Sequence, residues 1–211
     1  MELFIMDFSV EKRLAQQSAP AALRNRAAIL AVLSPHLPAG GLVLELASGT
    51  GEHALFFAGA RPDVTFQPTD FDVSARASID AYAEEAGLSN LRRALFLDAT
   101  QPDTWPLERA DALVCVNMIH ISPWEATVGL IAGAARILPT GGKLMLYGPY
   151  IRAGIETAPS NRAFDESLRS RNPAWGIRRL DAVAALAAEA GFSAPEVTEM
   201  PANNLTVIFT R

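Results

Sequence analysis

Short apolar runs and helix-spaced apolar stripes alternate along the chain, and residues 42–58, LVLELASGTGEHALFFA, hold the clearest change from one to the other. Leu42, Val43, Leu44 and Leu46 make a nearly continuous apolar run, the pattern of a strand buried on both faces of a parallel sheet. Ser48, Gly49, Thr50 and Gly51 break that run, and Ala54, Leu55, Phe56, Phe57 and Ala58 resume as a helix that stops before Gly59 and Pro62. Upstream, Leu23, Ala27, Leu30 and Leu33 or Leu37 predict a leading helix over residues 20–37. Downstream the pattern predicts strands at 64–69, 91–97, 112–117 and 143–147, with helices over 73–86, stopped by Gly87, and 124–138, stopped by Pro139. A long polar stretch follows, then a helix over 180–190 stopped by Gly191, and strands at 195–200 and 205–210. Pro201, Ala202, Asn203 and Asn204 alone join those last strands, too short a link for a crossover helix, so the pair is antiparallel. The fold class is α/β: a doubly wound seven-stranded sheet, mostly parallel with one antiparallel strand at the C-terminus, helices on both faces.

At 211 residues the chain holds one well-filled domain, not a nucleotide domain plus a full substrate domain. Residues 1–211 read as a single domain, with an N-terminal helical segment at 1–38 and a lid or substrate segment at 151–179. Charged residues make up 19% and the formal net charge is −5, which gives no global attraction to nucleic acid or an anionic membrane, so neither is expected as a partner. No apolar run approaches a bilayer's span, and the start MELFIMDFSVEKR lacks the cleavage site of a secretory signal. Cys115, the one cysteine, excludes an internal disulfide and a cysteine-based metal cluster and fits a reducing cytoplasm. Three scattered histidines without H-x-x-x-H or H-E-x-x-H spacing give no metal site.

The turn at 48–51 is the strongest chemical signal. A helix N-terminus presents unpaired N–H groups, and glycines without Cβ let a ligand approach the backbone closely. Gly49, Gly51 and Ala54 spell G-x-G-x-x-A and Asp70 follows at about the 20-residue spacing of a dinucleotide site, so a nicotinamide dinucleotide is one reading. An ordinary βα turn shares this short spelling. Glu45 argues against the dinucleotide, because a carboxylate at the strand end and a pyrophosphate in the same poorly solvated crevice repel, whereas a cationic ligand gains.

Glu45-x-Ala47-x-Gly49-x-Gly51 resembles the first motif of the class I S-adenosylmethionine-dependent methyltransferases, with alanine in place of the first glycine. That departure matters only if residue 47 needs positive φ or a glycine-close contact. The predicted strand order, with its antiparallel finish, is also the Rossmann-like topology of that class. Narrower segments, ELASGTGEHALFFA, NMIHISPW, SNRAFDESLR, NPAWGIRRL and MPANNLTVIF, resemble a methyltransferase-like group catalogued as domain of unknown function 938, to which methyltransferase-like protein 26 belongs. The resemblance implies S-adenosylmethionine as cofactor, S-adenosylhomocysteine as product, and no particular acceptor. It assigns the turn residues Glu45, Ala47, Ser48, Gly49, Gly51 and His53 to the cofactor. Asp70 takes the ribose hydroxyls with Asp72 as fallback, Asp98 the adenine amino group, and Asn117, Met118 and Ile119 the methionine and adenine side, with Phe71 and Ala99 as further cofactor-binding residues. Each acid is equally a helix cap or turn former when taken alone.

Methyl transfer from an activated sulfonium needs an in-line nucleophile, a dry pocket and, for some acceptors, a base. His120, just beyond the fourth strand, is the candidate base, or else a hydrogen-bonded wall residue. Tyr150 is a second catalytic candidate, and Tyr147 faces either a substrate or the packing. Residues 151–179 carry Arg152, Arg162, Arg169, Arg171, Arg178 and Arg179 against Glu156, Asp165 and Glu166, a balance that suits a small anionic acceptor or a solvated, ion-paired face. Asn161, Arg162, Phe164 and Trp175 are the substrate-side candidates there, and Trp124 is expected at the base of the pocket. The expected function is methylation of a small molecule. The alternatives are an NAD(P)-dependent oxidoreductase and a non-catalytic S-adenosylmethionine-binding protein.

Overall fold

The computed structural model describes residues 16–211, so the reading of the first thirteen residues lies outside the described ones. The elements are α1 (Pro20–Leu33), β1 (Leu42–Leu46), α2 (Glu52–Ala60), β2 (Thr65–Asp70), α3 (Val73–Ala86), β3 (Leu95–Phe96), β4 (Ala112–Val116), α4 (Trp124–Ile137), β5 (Lys143–Gly148), β6 (Tyr150–Ile151), α5 (Pro159–Arg171), β7 (Arg178–Arg179), α6 (Leu180–Glu189), β8 (Glu196–Met200) and β9 (Asn204–Thr210). Seven strands form one sheet in the order β3-β2-β1-β4-β5-β9-β8. The pairs from β3 to β5 are parallel, and β9 runs antiparallel to both β5 and β8. This is the expected doubly wound sheet. The strand order reverses between β1 and β4, where an open α/β sheet leaves a crevice beyond its carboxyl ends.

The continuous apolar runs are explained by burial on both faces. On one face Ile29 and Leu33 of α1 and Phe57 of α2 pack on Val43, Val114, Met145 and Ile208. On the other, Leu130 and Ile131 of α4 and Val183 of α6 pack on Leu44, Leu46, Leu113 and Val207. Close approach of α4 needs glycine. A Cβ on Gly129 would stand 1.9 Å from the Ala99 carbonyl oxygen, and one on Gly133 would strike the Trp105 ring. No described helix is long and apolar enough to cross a membrane.

Three elements differ from the expected pattern. α1 ends at Leu33 and a 3₁₀ turn at Ser34–His36 follows, because Pro35 has no N–H with which to continue the i→i−4 ladder. The third strand shrinks to Leu95–Phe96, with Leu91 contributing an isolated bridge to Phe66. Most importantly, residues 151–179 are not an irregular connection. They contain α5, started by Pro159 at its first turn and flanked by the parallel pair β6–β7. Only Asn161 and Leu168 of α5 are buried, and most of its residues are polar, so it reads as a polar stretch in sequence.

Candidate functional site

A crevice of about 520 Å³ lies at the carboxyl ends of β1, β2 and β4. The turn after β1 shapes it. Ser48 N–H donates to the Thr69 carbonyl at 2.8 Å and Thr69 Oγ1 donates to the Glu45 carbonyl at 2.9 Å, stitching the turn to β2. Gly49 and Gly51 both have positive φ, 58° and 93°, and Gly51 starts α2 against Ile79. Ala47 also has positive φ, 56°. The departure from glycine therefore falls where it matters: Ala47 accepts about 1–2 kcal/mol of local strain, and it lines the crevice.

Two carboxylates border the opening. Asp70, the last residue of β2, accepts from Gly49 N–H at 2.9 Å through Oδ2 and from Asp72 N–H at 2.9 Å through Oδ1. Asp72 is committed as the N-cap of α3, accepting from Ser74 and Ala75 N–H, which leaves Asp70 as the acid facing the crevice. Asp98 closes an Asx turn by accepting from Thr100 N–H at 2.8 Å, and it too lines the crevice. Phe71, Ala99, Met118 and Trp175 complete the set of expected residues found there; Leu46, Leu97, Val116, Ile121, Pro123 and Ala126 were missed. Their signal was weak, since apolar wall residues at strand ends look like core in a sequence.

Glu45 does not line the crevice. It is buried beneath the turn, with Oε2 unpartnered. Burial, reinforced by the Asp70 charge and opposed by the Ser48 hydroxyl, pushes its carboxyl from the ordinary 4.5 up to about 7. The charge expected from sequence is thus only partly present at neutral pH, and Glu45 repels an anion in the crevice less than its place in the sequence implies.

His53 is also placed elsewhere. Its Nε2 lies 2.8 Å from Asn25 Oδ1 and its ring packs on Phe57, so it ties α2 to α1 rather than facing the crevice. Ser48, Gly51, Asn117 and Ile119 shape the strand ends without lining the opening. Asn117 has a φ of 62° and leads into the 3₁₀ turn Met118–His120. Missed by sequence, Glu52 is buried and accepts from Ala19 N–H at 2.8 Å and Ser18 Oγ at 3.1 Å, fastening the segment before α1 to the turn.

The two catalytic candidates require correction. His120 is fully buried, and its Nδ1 accepts from Arg178 N–H at 3.3 Å, so in the neutral ring Nε2 carries the proton. Burial, then the Arg178 charge, lowers its pKa to about 3. A ring whose acceptor nitrogen is occupied and which resists protonation is not a general base at neutral pH. Tyr150 stands edge-on to His120 at 5.1 Å, and burial pushes its phenol far above the ordinary range, so it is not a base either. Neither lines the crevice.

Nor does residues 151–179 offer a free cationic surface. Arg152 pairs with Glu199, Arg162 with Glu156, Arg169 with Asp165 and Arg179 with Asp181. Arg178 donates to the carbonyls of Ile119, Ser122 and Ala174 and stacks over Trp124, and Arg171 stacks over Trp175. Trp124 is accordingly a packing residue. Asn161 donates to the Asn203 carbonyl at 2.9 Å and Phe164 is exposed, so of the four substrate-side candidates only Trp175 reaches the crevice. Tyr147 lies on the α1 face of the sheet.

Residues 16–211 match the family model described as protein of unknown function, DUF938. The chain belongs to the DUF938 family. This DUF938 chain is similar in fold to an O-methyltransferase family 2 protein from Planctomyces limnophilus crystallised with apigenin (18% identity, TM-score 0.74, 98% of this chain and 62% of that one). It resembles equally an O-methyltransferase family protein from Burkholderia thailandensis (18%, TM-score 0.75, 90% and 57%). A third is CalO1, a methyltransferase in calicheamicin biosynthesis, in its S-adenosylhomocysteine-bound form (17%, TM-score 0.71, 90% and 55%). The DUF938 chain therefore has the fold of the S-adenosylmethionine-dependent methyltransferases and spans a little over half the length of these solved relatives.

Proposed function

We propose that this protein binds S-adenosylmethionine in the crevice beyond β1, β2 and β4 and transfers its methyl group to a small molecule. Within its family it is the methyltransferase-like protein 26 group that its segments resemble. The observation that carries the reading is the charge of the lining: Asp70 and Asp98 are present, and among the described residues no lysine or arginine lines it. A diphosphate would meet two carboxylates and no cation, and the Gly49 N–H it would need is already held by Asp70. A sulfonium and an ammonium gain from the same surroundings. The bound cofactor would supply an activated methyl group; this chain's part is to hold and orient it. Asp70 Oδ1 and Oδ2 suit a pair of ribose hydroxyls, Asp98 an exocyclic amine, and Leu97, Met118 and Ala126 a planar apolar ring. Without a histidine or tyrosine base at the opening, chemistry relies on positioning and water exclusion.

Thermal unfolding with each cofactor tests the reading, because a ligand specific to the native state raises its stability. S-adenosylhomocysteine is expected to raise the midpoint and NAD(H) or NADP(H) to leave it unchanged; the reverse pattern overturns the proposal. Asp70→Ala is expected to weaken S-adenosylhomocysteine binding about 30-fold, roughly 2 kcal/mol for charge-assisted hydrogen bonds. Unchanged affinity in a titration of that variant would remove Asp70 from the ribose.

A further inference from the structure

A second cavity, of about 320 Å³, opens on the other side of the strand ends, between α1, the end of β5 and the β8–β9 turn. Arg24, Asn25, Ala28, Tyr147, Ala202 and Asn204 line it. It adjoins the crevice. Tyr147 is the in-register neighbour of Val116, which lines the crevice, so the two linings have residues on adjacent strands, whose backbones lie about 4.8 Å apart.

One of its polar groups, Asn25, is held by a bond that the proposed cofactor site does not use. Burial lowers the pKa of His53 to about 4 and keeps it neutral, and its Nε2 donates to Asn25 Oδ1. With that oxygen engaged, the Asn25 amide N–H groups are what it can offer to the cavity it lines. Tyr147 lines the same cavity, and its phenol O–H can donate. Beside it, Thr206 faces Tyr147 across the β5–β9 pair and lies two residues from Asn204 on the same face. Thr206 is fully buried, and its Oγ1 has no partner. At the rim Arg24 is exposed and enters no ion pair among the described residues, unlike the paired arginines of 151–179. A phenol donor, an amide and a guanidinium over an alanine-lined wall suit one ligand chemistry, a carboxylate on a compact apolar body.

We propose that this cavity holds the methyl acceptor, a small carboxylic acid anchored by Arg24 and Tyr147 with its second, nucleophilic group turned toward Val116; the proposal rests on the methyltransferase reading. In the transfer, that group's oxygen or nitrogen forms a bond to the methyl carbon as the carbon–sulfur bond breaks. The electron pair returns to sulfur, and the nucleophile's proton leaves to water.

Calorimetric titration of the full chain saturated with S-adenosylhomocysteine tests it, using acetate, succinate, benzoate and 4-hydroxybenzoate, with benzamide as the uncharged counterpart of benzoate. At least one carboxylate is expected to bind and benzamide is not. Arg24→Ala, a change at an exposed side chain, is expected to weaken the carboxylate about tenfold or more, and Tyr147→Phe about fivefold, with S-adenosylhomocysteine affinity unchanged within about twofold. Binding of none of the four acids, or carboxylate binding indifferent to Arg24, overturns the site. Tenfold loss of S-adenosylhomocysteine affinity in Arg24→Ala also overturns it, since the cavity then holds the cofactor's own carboxylate. Arg24-dependent carboxylate binding to a protein that ignores S-adenosylhomocysteine overturns the acceptor role through the methyltransferase reading while leaving a carboxylate site in place.

Discussion

Gly129→Ala is expected to destabilise the protein by about 3 kcal/mol, although alanine is the better helix former by about 1 kcal/mol. Gly129 lies inside α4, and its missing Cβ is the space that the Ala99 carbonyl occupies: the added carbon would stand 1.9 Å from that oxygen and 3.0 Å from its carbon. Both are backbone atoms, so relief requires α4 or the loop after β3 to move. That loop carries Asp98 and Ala99 at the crevice. The substitution is therefore expected to weaken S-adenosylhomocysteine binding as well. Urea unfolding supplies the measurement, with Gly59→Ala in α2 as the contrast. There an added Cβ meets only Leu88, at 3.9 Å, and alanine is expected to be neutral or stabilising by up to about 1 kcal/mol. Equal effects at the two glycines would refute the packing account.

Glu45→Gln is expected to change how stability depends on pH. The folded protein holds the Glu45 proton up to about pH 7, while an ordinary glutamic acid releases it near 4.5. Between those values the native state binds more protons than the unfolded chain, so raising the pH favours unfolding. The group's contribution declines through that window and levels off above it, a loss of roughly 3 kcal/mol for the whole shift. Glutamine has no proton to lose there. The variant and the parent should unfold at similar denaturant concentrations at pH 5, and the variant should be the more stable at pH 8. A gap independent of pH would mean that Glu45 is not a buried carboxyl with a raised pKa.

Much of the fold was legible because local rules and tertiary packing agree in it. The helix over 73–86 has a capping Asp72 and a terminal Gly87 with φ of 60°, both visible in sequence. The antiparallel end followed from the four residues between the last strands. By contrast α5 was hidden, because a helix that buries two side chains is mostly polar and blends into the polar stretch around it. At the site, Asp70, Asp98 and the glycine turn stood out because strand ends of a parallel sheet converge. His53, His120, Tyr150 and Asn161 were misplaced for the opposite reason: a residue type suited to chemistry says nothing of which side of the sheet it faces or which atom its neighbours occupy.

The sequence by itself determined the alternation of strands and helices, the glycine turn and the acids at the strand ends, since periodicity, capping and turn preferences act over a few residues. Only the tertiary structure decided the charge on Glu45, the tautomer of His120, the pairing of the arginines in 151–179 and the crowding at Gly129. Each of these depends on burial and on partners distant along the chain. Desolvation and contact exist only once the sheet and its two helical layers have closed over the residues concerned.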